Sequence, residues 1–176
     1  MNIAVVDYGM GNLRSVSKAL EHVAVAGQSV TVTADPDVIN AAERVVFPGQ
    51  GAARDCMQHL EHRKLTDVVR KASRGKPFLG ICMGMQVLMA HSEENDGVDC
   101  MAMYPGDVKA FADSALSAQM AERKIPHMGW NAVRQTQPHP LWQGILDGSR
   151  FYFVHSYYVA PDEASLVAGS ADYGID

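Results

Sequence analysis

The chain has 176 residues, 47% of them hydrophobic, with a formal net charge of −5 and a pI of about 5.7. That length suffices for one sizeable core, and a single domain spanning residues 1–176 is expected. No basic block stands out, which argues against a nucleic-acid partner. No apolar run reaches the roughly 18 residues of a membrane span.

The N-terminal run from Asn2 to Asp7 has no charged leader or cleavage site and reads as a buried first strand. It ends at Tyr8-Gly-Met-Gly-Asn12. Leu13, Val16, Leu20 and Val23 then share one helical face. Ser29 to Thr33 is rich in β-branched residues and predicts a second strand. Asp35-Pro36 marks a turn or helix start. Arg44 to Phe47 predicts a third strand, followed at once by Pro48-Gly-Gln-Gly51. An amphipathic segment over 53–73 comes next, then a fourth strand from Pro77 to Ile81. Met85, Leu88 and Met89 give the following helix its apolar face. Strands alternating with helices predict an α/β three-layer sandwich around a mainly parallel sheet. The region 98–124 is weakly patterned. Phe151 to Val159 reads as one long central strand, and the end of the chain is turn-rich.

The chemistry concentrates at Gly80-Ile-Cys82-Met-Gly84. This G-x-C-x-G run, between a strand and a helix, has the layout of a nucleophile elbow. A helix N-terminus favours the thiolate, and the Met83 N–H would face an oxyanion. The competing reading is an inert buried thiol. Pro48-Gly-Gln-Gly51 reads either as a second oxyanion donor or as an ordinary βα turn. Tyr8-Gly-Met-Gly-Asn12 is no dinucleotide fingerprint, because Arg14 stands where the third glycine belongs. A thiol nucleophile needs a base, and seven histidines are available. His59 and His62 lack the further ligands a metal would need. His155 lies on the same strand face as Phe153 and Tyr157, where a hydrogen-bonded core histidine is the simpler reading. Physical reasoning alone does not choose among them. Cys56, Cys82 and Cys100 are odd in number and form no CxxC pair, so a reducing cytoplasm fits better than a disulfide framework. No metal or cofactor is expected.

Taken together, the segments DYGMGNLRSVSKALE (7–21), VVFPGQGA (45–52), GKPFLGICMGMQVL (75–88), SEE (92–94), KIPHMGWN (124–131), HPLW (139–142) and FYFVHSYYV (151–159) resemble a known family. It is the class I glutamine amidotransferases, whose architecture is flavodoxin-like. KIPHMGWN and FVHSYY narrow the resemblance to the glutaminase subunits of imidazole glycerol phosphate synthase, which serve histidine biosynthesis. The resemblance implies that Cys82 attacks the glutamine amide and that ammonia passes through a channel to a cyclase subunit in a heterodimer. It implies oxyanion donors at the Met83 and Gln50 N–H groups, with Gln50 standing where the family usually has Val. Gly51, Gln86, Glu94, Ser156 and Tyr157 would hold the glutamine. Asn12, His127, Met128, Trp130 and Asn131 would face the cyclase. The family carries its catalytic His and Glu in a further strand and helix beyond the Tyr173-Gly174 region, which this sequence does not include. The expectation is therefore a slow or inactive chain that still binds the cyclase. A cysteine-elbow hydrolase of another class is the remoter alternative.

Overall fold

A computed structural model describes residues 1–111 and 123–174. The chain forms two compact units, Met1–Tyr104 and Pro105–Asp176.

The first unit is built on a parallel sheet of β1 (Asn2–Val6), β2 (Ser29–Thr33), β3 (Arg44–Gly49) and β4 (Phe78–Cys82), in the order β2-β1-β3-β4. Alternation along the strands divides the core in two. Ala4 and Val6 of β1 and Val45 and Phe47 of β3 point to one face. There they pack with Ile39 of α2 (Pro36–Ala41), Cys56 and Leu60 of α3 (Ala53–His62) and Val69 of α4 (Thr66–Gly75). Ile3, Val5 and Val46 point the other way, against Leu13, Val16 and Leu20 of α1 (Leu13–Val23). This is the expected helix–sheet–helix layering. Capping sets the helix boundaries. The Asn12 side chain accepts from Ser15 N–H at 3.2 Å to start α1, and Asp35 accepts from Asp37 N–H at 2.8 Å to start α2. The Lys76 ammonium closes the end of α2 by donating to the carbonyls of Asn40 (2.7 Å) and Ala42 (2.6 Å).

Two of the expected helices differ from their sequence reading. The segment 53–73 is broken between α3 and α4, where Lys64 takes a positive φ of 56°. The helix after Cys82, α5 (Met83–Gln86), is a single turn. Met85 is exposed, while Leu88 and Met89 are buried in the turns that follow. The unit ends with a short antiparallel pair, β5 (His91–Ser92) and β6 (Val98–Asp99).

The second unit is antiparallel. Strand β7 (Gly106–Ala110) pairs with β11 (Tyr157–Pro161), β8 (His127–Ala132) with β10 (Arg150–His155), and β9 (Arg134–Gln135) with β12 (Gly169–Ser170). The expected single central strand over 151–159 is therefore two strands that divide at Ser156 and take different partners. Strand β10 has a more exposed and a more inward face, and β11 is half-buried along its length, so neither is buried on both sides. Of the weakly patterned region 98–124, β6 and β7 are described and residues 112–122 lie outside the described residues.

Candidate active site

The parallel sheet brings three loops to its carboxyl edge, where open α/β sheets place their ligands. Register sets Gly49, the last residue of β3, beside Cys82, the last of β4. The loop after β1 reaches the same place. The Tyr8 ring packs on Phe47 with centroids 5.1 Å apart, and the Met10 methyl lies 3.1 Å from where a Cβ on Gly51 would stand.

Cys82 is exposed and has φ 54° and ψ −120°. That is the first central position of a type II′ turn, a conformation glycine takes freely and other residues adopt at a cost of about 1–3 kcal/mol. The flanking glycines make the bend possible. A Cβ on Gly84 would overlap the Phe47 carbonyl oxygen, and one on Gly80 would lie 2.8 Å from the Gly84 carbonyl oxygen. Across the gap, a Cβ on Gly49 would come within 2.6 Å of both the Gly84 nitrogen and the Tyr8 hydroxyl. The G-x-C-x-G spacing thus has a steric cause: the turn lies directly on the end of β3. Met83, the residue after Cys82, is buried and opens α5, so its N–H has no partner within the helix. Gln86, one turn on, is also buried.

On the other side of Cys82, Gln50 and Gly51 are exposed, and Gly51 has φ 82°. The Gln50 carbonyl accepts from the Cys56 thiol at 3.4 Å. Glu94 is half-buried beside this turn. Its Oε2 accepts from the Ala53 N–H at 2.7 Å and caps α3, whose own N-cap residue, Ala52, has no side-chain acceptor. Arg54 anchors the same segment by donating to the Asn95 carbonyl. Cys82, Met83, Gln86, Gln50, Gly51 and Glu94 are thus all placed by one sheet edge. Tyr8 and Cys56, which lie beneath that edge, were not singled out from sequence. Tyr8 was read only as part of the Tyr8-Gly-Met-Gly-Asn12 turn and Cys56 only as one of three unpaired cysteines, and only the fold brings the two under Gln50.

Ser156 and Tyr157 belong to the second unit. The Ser156 carbonyl accepts from Phe111 N–H at 3.1 Å, and Tyr157 begins β11 opposite Ala110. Both nitrogens of His155 are engaged. Nδ1 lies 2.8 Å from the Tyr157 carbonyl and Nε2 lies 2.9 Å from His127 Nδ1. Of the five positions expected to face a partner, Asn12, Met128 and Trp130 are exposed. Asn131 is half-buried and donates to the Asp172 carbonyl at 2.8 Å. His127 differs from the rest. It is buried and stacked between Phe153 and Tyr173, with ring centroids 4.8 and 3.8 Å away, because residue 127 alternates with 128 and takes the inward face of β8. Burial and the neighbouring His155 and Arg123 hold its pKa below the usual histidine value. Met128 and Trp130 share the outward face with Tyr152 and Val154 of β10. All four are more than half exposed, and Trp130 meets Tyr152 edge to face at 5.7 Å.

Comparison with known proteins agrees with this geometry. The chain is 59% identical to imidazole glycerol phosphate synthase subunit HisH of Thiobacillus denitrificans, covering 98% of the chain and 75% of that protein. It is 60% identical to the HisH subunit of Dechloromonas aromatica, covering 98% of the chain and 80% of that protein. Among solved structures it superposes on a glutamine amidotransferase with a TM-score of 0.67 at 12% identity, covering 94% of the chain and 78% of that one. PurLQS from Thermotoga maritima gives 0.64 at 18% identity, over 97% and 74% of the two chains. The family model Glutamine amidotransferase class-I matches residues 4–173. A strained cysteine at the carboxyl edge of a parallel sheet, together with a family match over nearly every residue, establishes that the chain belongs to the class I glutamine amidotransferases.

Proposed function

We propose that the chain is the glutaminase subunit of an imidazole glycerol phosphate synthase and acts in histidine biosynthesis. The observation that carries this reading is Cys82, a thiol left exposed at a strained turn where it fills no place in the core. Its thiolate attacks the side-chain carboxamide carbon of glutamine. The C–N bond breaks, the amide nitrogen leaves as ammonia by taking up the one proton given up by the thiol, and an acyl-thioester remains. Water then hydrolyses the thioester to glutamate and returns the thiol. The Met83 and Gln50 N–H groups serve the oxyanion of each tetrahedral intermediate. Gly51, Gln86 and Glu94 hold the amino-acid end of the substrate, and Ser156 and Tyr157 carry the same assignment from the family resemblance. A carboxylate accepts several hydrogen bonds, so the Ala53 N–H on Glu94 leaves capacity for a substrate ammonium.

Ammonia at neutral pH is mostly protonated and unreactive, so it is useful only if delivered through a closed route to a cyclase subunit. The outward face of Met128, Trp130, Tyr152 and Val154 suits that docking, since interfaces are anchored by exposed aromatic residues. Asn12, His127 and Asn131 complete the assigned partner side, His127 by supporting the strand from within. The family match runs across both compact units and supports treating residues 1–176 as one amidotransferase domain. Among the described residues no helix is long and apolar enough to cross a membrane. Biosynthetic relatives and unpaired cysteines fit a cytoplasmic enzyme.

The test is glutamine hydrolysis with the cyclase subunit present. Cys82→Ser is expected to lower the rate by about 10³-fold or more. Hydrolysis of esters or peptides by the unaltered chain, without hydrolysis of glutamine, would overturn the reading in favour of a cysteine-elbow hydrolase.

A further inference from the structure

The floor of the site holds a thiol that the glutaminase chemistry does not consume. Cys56 is fully buried on the inward face of α3, below the turn that follows β3. It is not simply packed there. The Tyr8 hydroxyl donates to its sulfur at 3.5 Å, and the sulfur donates in turn to the Gln50 carbonyl at 3.4 Å. Tyr8 is itself buried, and its hydroxyl lies 2.6 Å from where a Cβ on Gly49 would stand. One short chain, hydroxyl to thiol to carbonyl, therefore supports the turn from beneath at Gly49 and Gln50. Burial pushes the pKa of both groups up, so each keeps the proton its bond requires at neutral pH.

We propose that Cys56 is a positioning residue: seated on the Tyr8 hydroxyl, its thiol holds the Gln50 carbonyl and fixes the turn that faces the Cys82 nucleophile. The reasoning is stereochemical. A peptide group is planar and trans, so a carbonyl pinned toward Cys56 aims the Gly51 N–H the opposite way. It also restricts the Gln50 backbone, which carries the neighbouring N–H. Gly51 has a positive φ and Gly49 has no side chain, so the turn has little stiffness of its own. An oxyanion donor is effective only when preorganised within a few tenths of an ångström, and such support has to come from below. The inference rests on the glutaminase reading and adds to it the group that sets the second oxyanion donor.

The test compares unaltered chain, Cys56→Ala and Cys56→Ser, each with the cyclase subunit. Glutamine turnover is measured alongside alkylation of Cys82 by iodoacetamide, a displacement that forms no oxyanion. Removing an oxyanion donor outright costs about 10²–10³-fold in kcat, and loosening its support is expected to cost roughly 10-fold. In Cys56→Ala, kcat should fall by that amount with KM changed less than about 2-fold, while Cys82 alkylates at the unaltered rate. Cys56→Ser, whose hydroxyl can donate to the same carbonyl, should recover most of the loss. Unchanged kcat in Cys56→Ala would overturn the proposal. So would kcat and alkylation falling together, or a Ser variant no better than Ala, since either result marks Cys56 as packing alone. An unaltered chain whose Cys82 is alkylated by iodoacetamide but not labelled by a diazo-ketone analogue of glutamine would fail the glutaminase reading, and the positioning role would fall with it.

Discussion

Cys82 occupies a backbone conformation that costs free energy, and three close glycine contacts hold it there. Gly84 is the least replaceable of these, because a methyl group would overlap the Phe47 carbonyl, a backbone atom that cannot rotate away. Gly84→Ala is therefore expected to destabilise the protein by about 3 kcal/mol or more, or to prevent folding. Gly75→Ala, at the end of α4 where an added methyl meets nothing within 4 Å, should leave stability nearly unchanged. Denaturant unfolding of the two variants checks both statements, and equal midpoints would refute the steric account. At this scale the sequence was informative where spacing has a local cause. The pattern Gly80-x-Cys82-x-Gly84 announces a bend, since only a sharp turn asks for small residues on both sides of a thiol. Glu94 was legible only as a substrate ligand by resemblance. Its cap on α3 depends on a partner 41 positions away in the chain, which no local pattern encodes.

Elements were legible when their periodicity was uninterrupted. The four parallel strands and α1 were foreseen because β-branched runs and a clean apolar stripe leave little ambiguity. The break between α3 and α4 was not foreseen, because Lys64 in a left-handed conformation carries no glycine signal. Nor was the division of 151–159 at Ser156, since a lone Ser between aromatic and β-branched residues, without Gly, Pro, Asn or Asp, is a weak turn signal. That division produces a feature of its own. His127 and His155 stand directly opposite each other in β8 and β10 and share one hydrogen bond of 2.9 Å, which needs one proton between the facing nitrogens. With both rings charged, two donors would face each other beside Arg123, whose guanidinium lies 5.1 Å from the Tyr173 ring centroid. Tyr173 covers His127, and Asp172 is the acid paired with Arg123, at 4.0 Å. The pKa of His127 is lowered in the folded chain, so the unfolded chain binds the proton more readily. The stabilisation is complete above the unfolded histidine value of about 6.5 and is lost as pH falls through it toward the lower folded value. The melting temperature should fall on acidification from pH 7 to 5, and His127→Gln should flatten that slope. A slope unchanged in His127→Gln would remove the pair from the account.

At the scale of the whole molecule, resemblance supplied what pattern did not. The parallel half follows from alternation of strand and helix, whereas the described strands of the antiparallel half are joined without the α-helices whose periodicity announces a parallel pairing. Both halves lie within the amidotransferase match, and both carry residues assigned to glutamine or to the cyclase. The central claim is nonetheless local: Cys82 is a nucleophile aimed at glutamine. The most direct measurement is intact-mass and peptide mass spectrometry after incubation with a diazo-ketone analogue of glutamine, with the cyclase subunit present. The account predicts a single adduct on Cys82, protected by excess glutamine and absent in Cys82→Ser, with Cys56 and Cys100 unlabelled. No adduct, or an adduct that glutamine does not suppress, would contradict it.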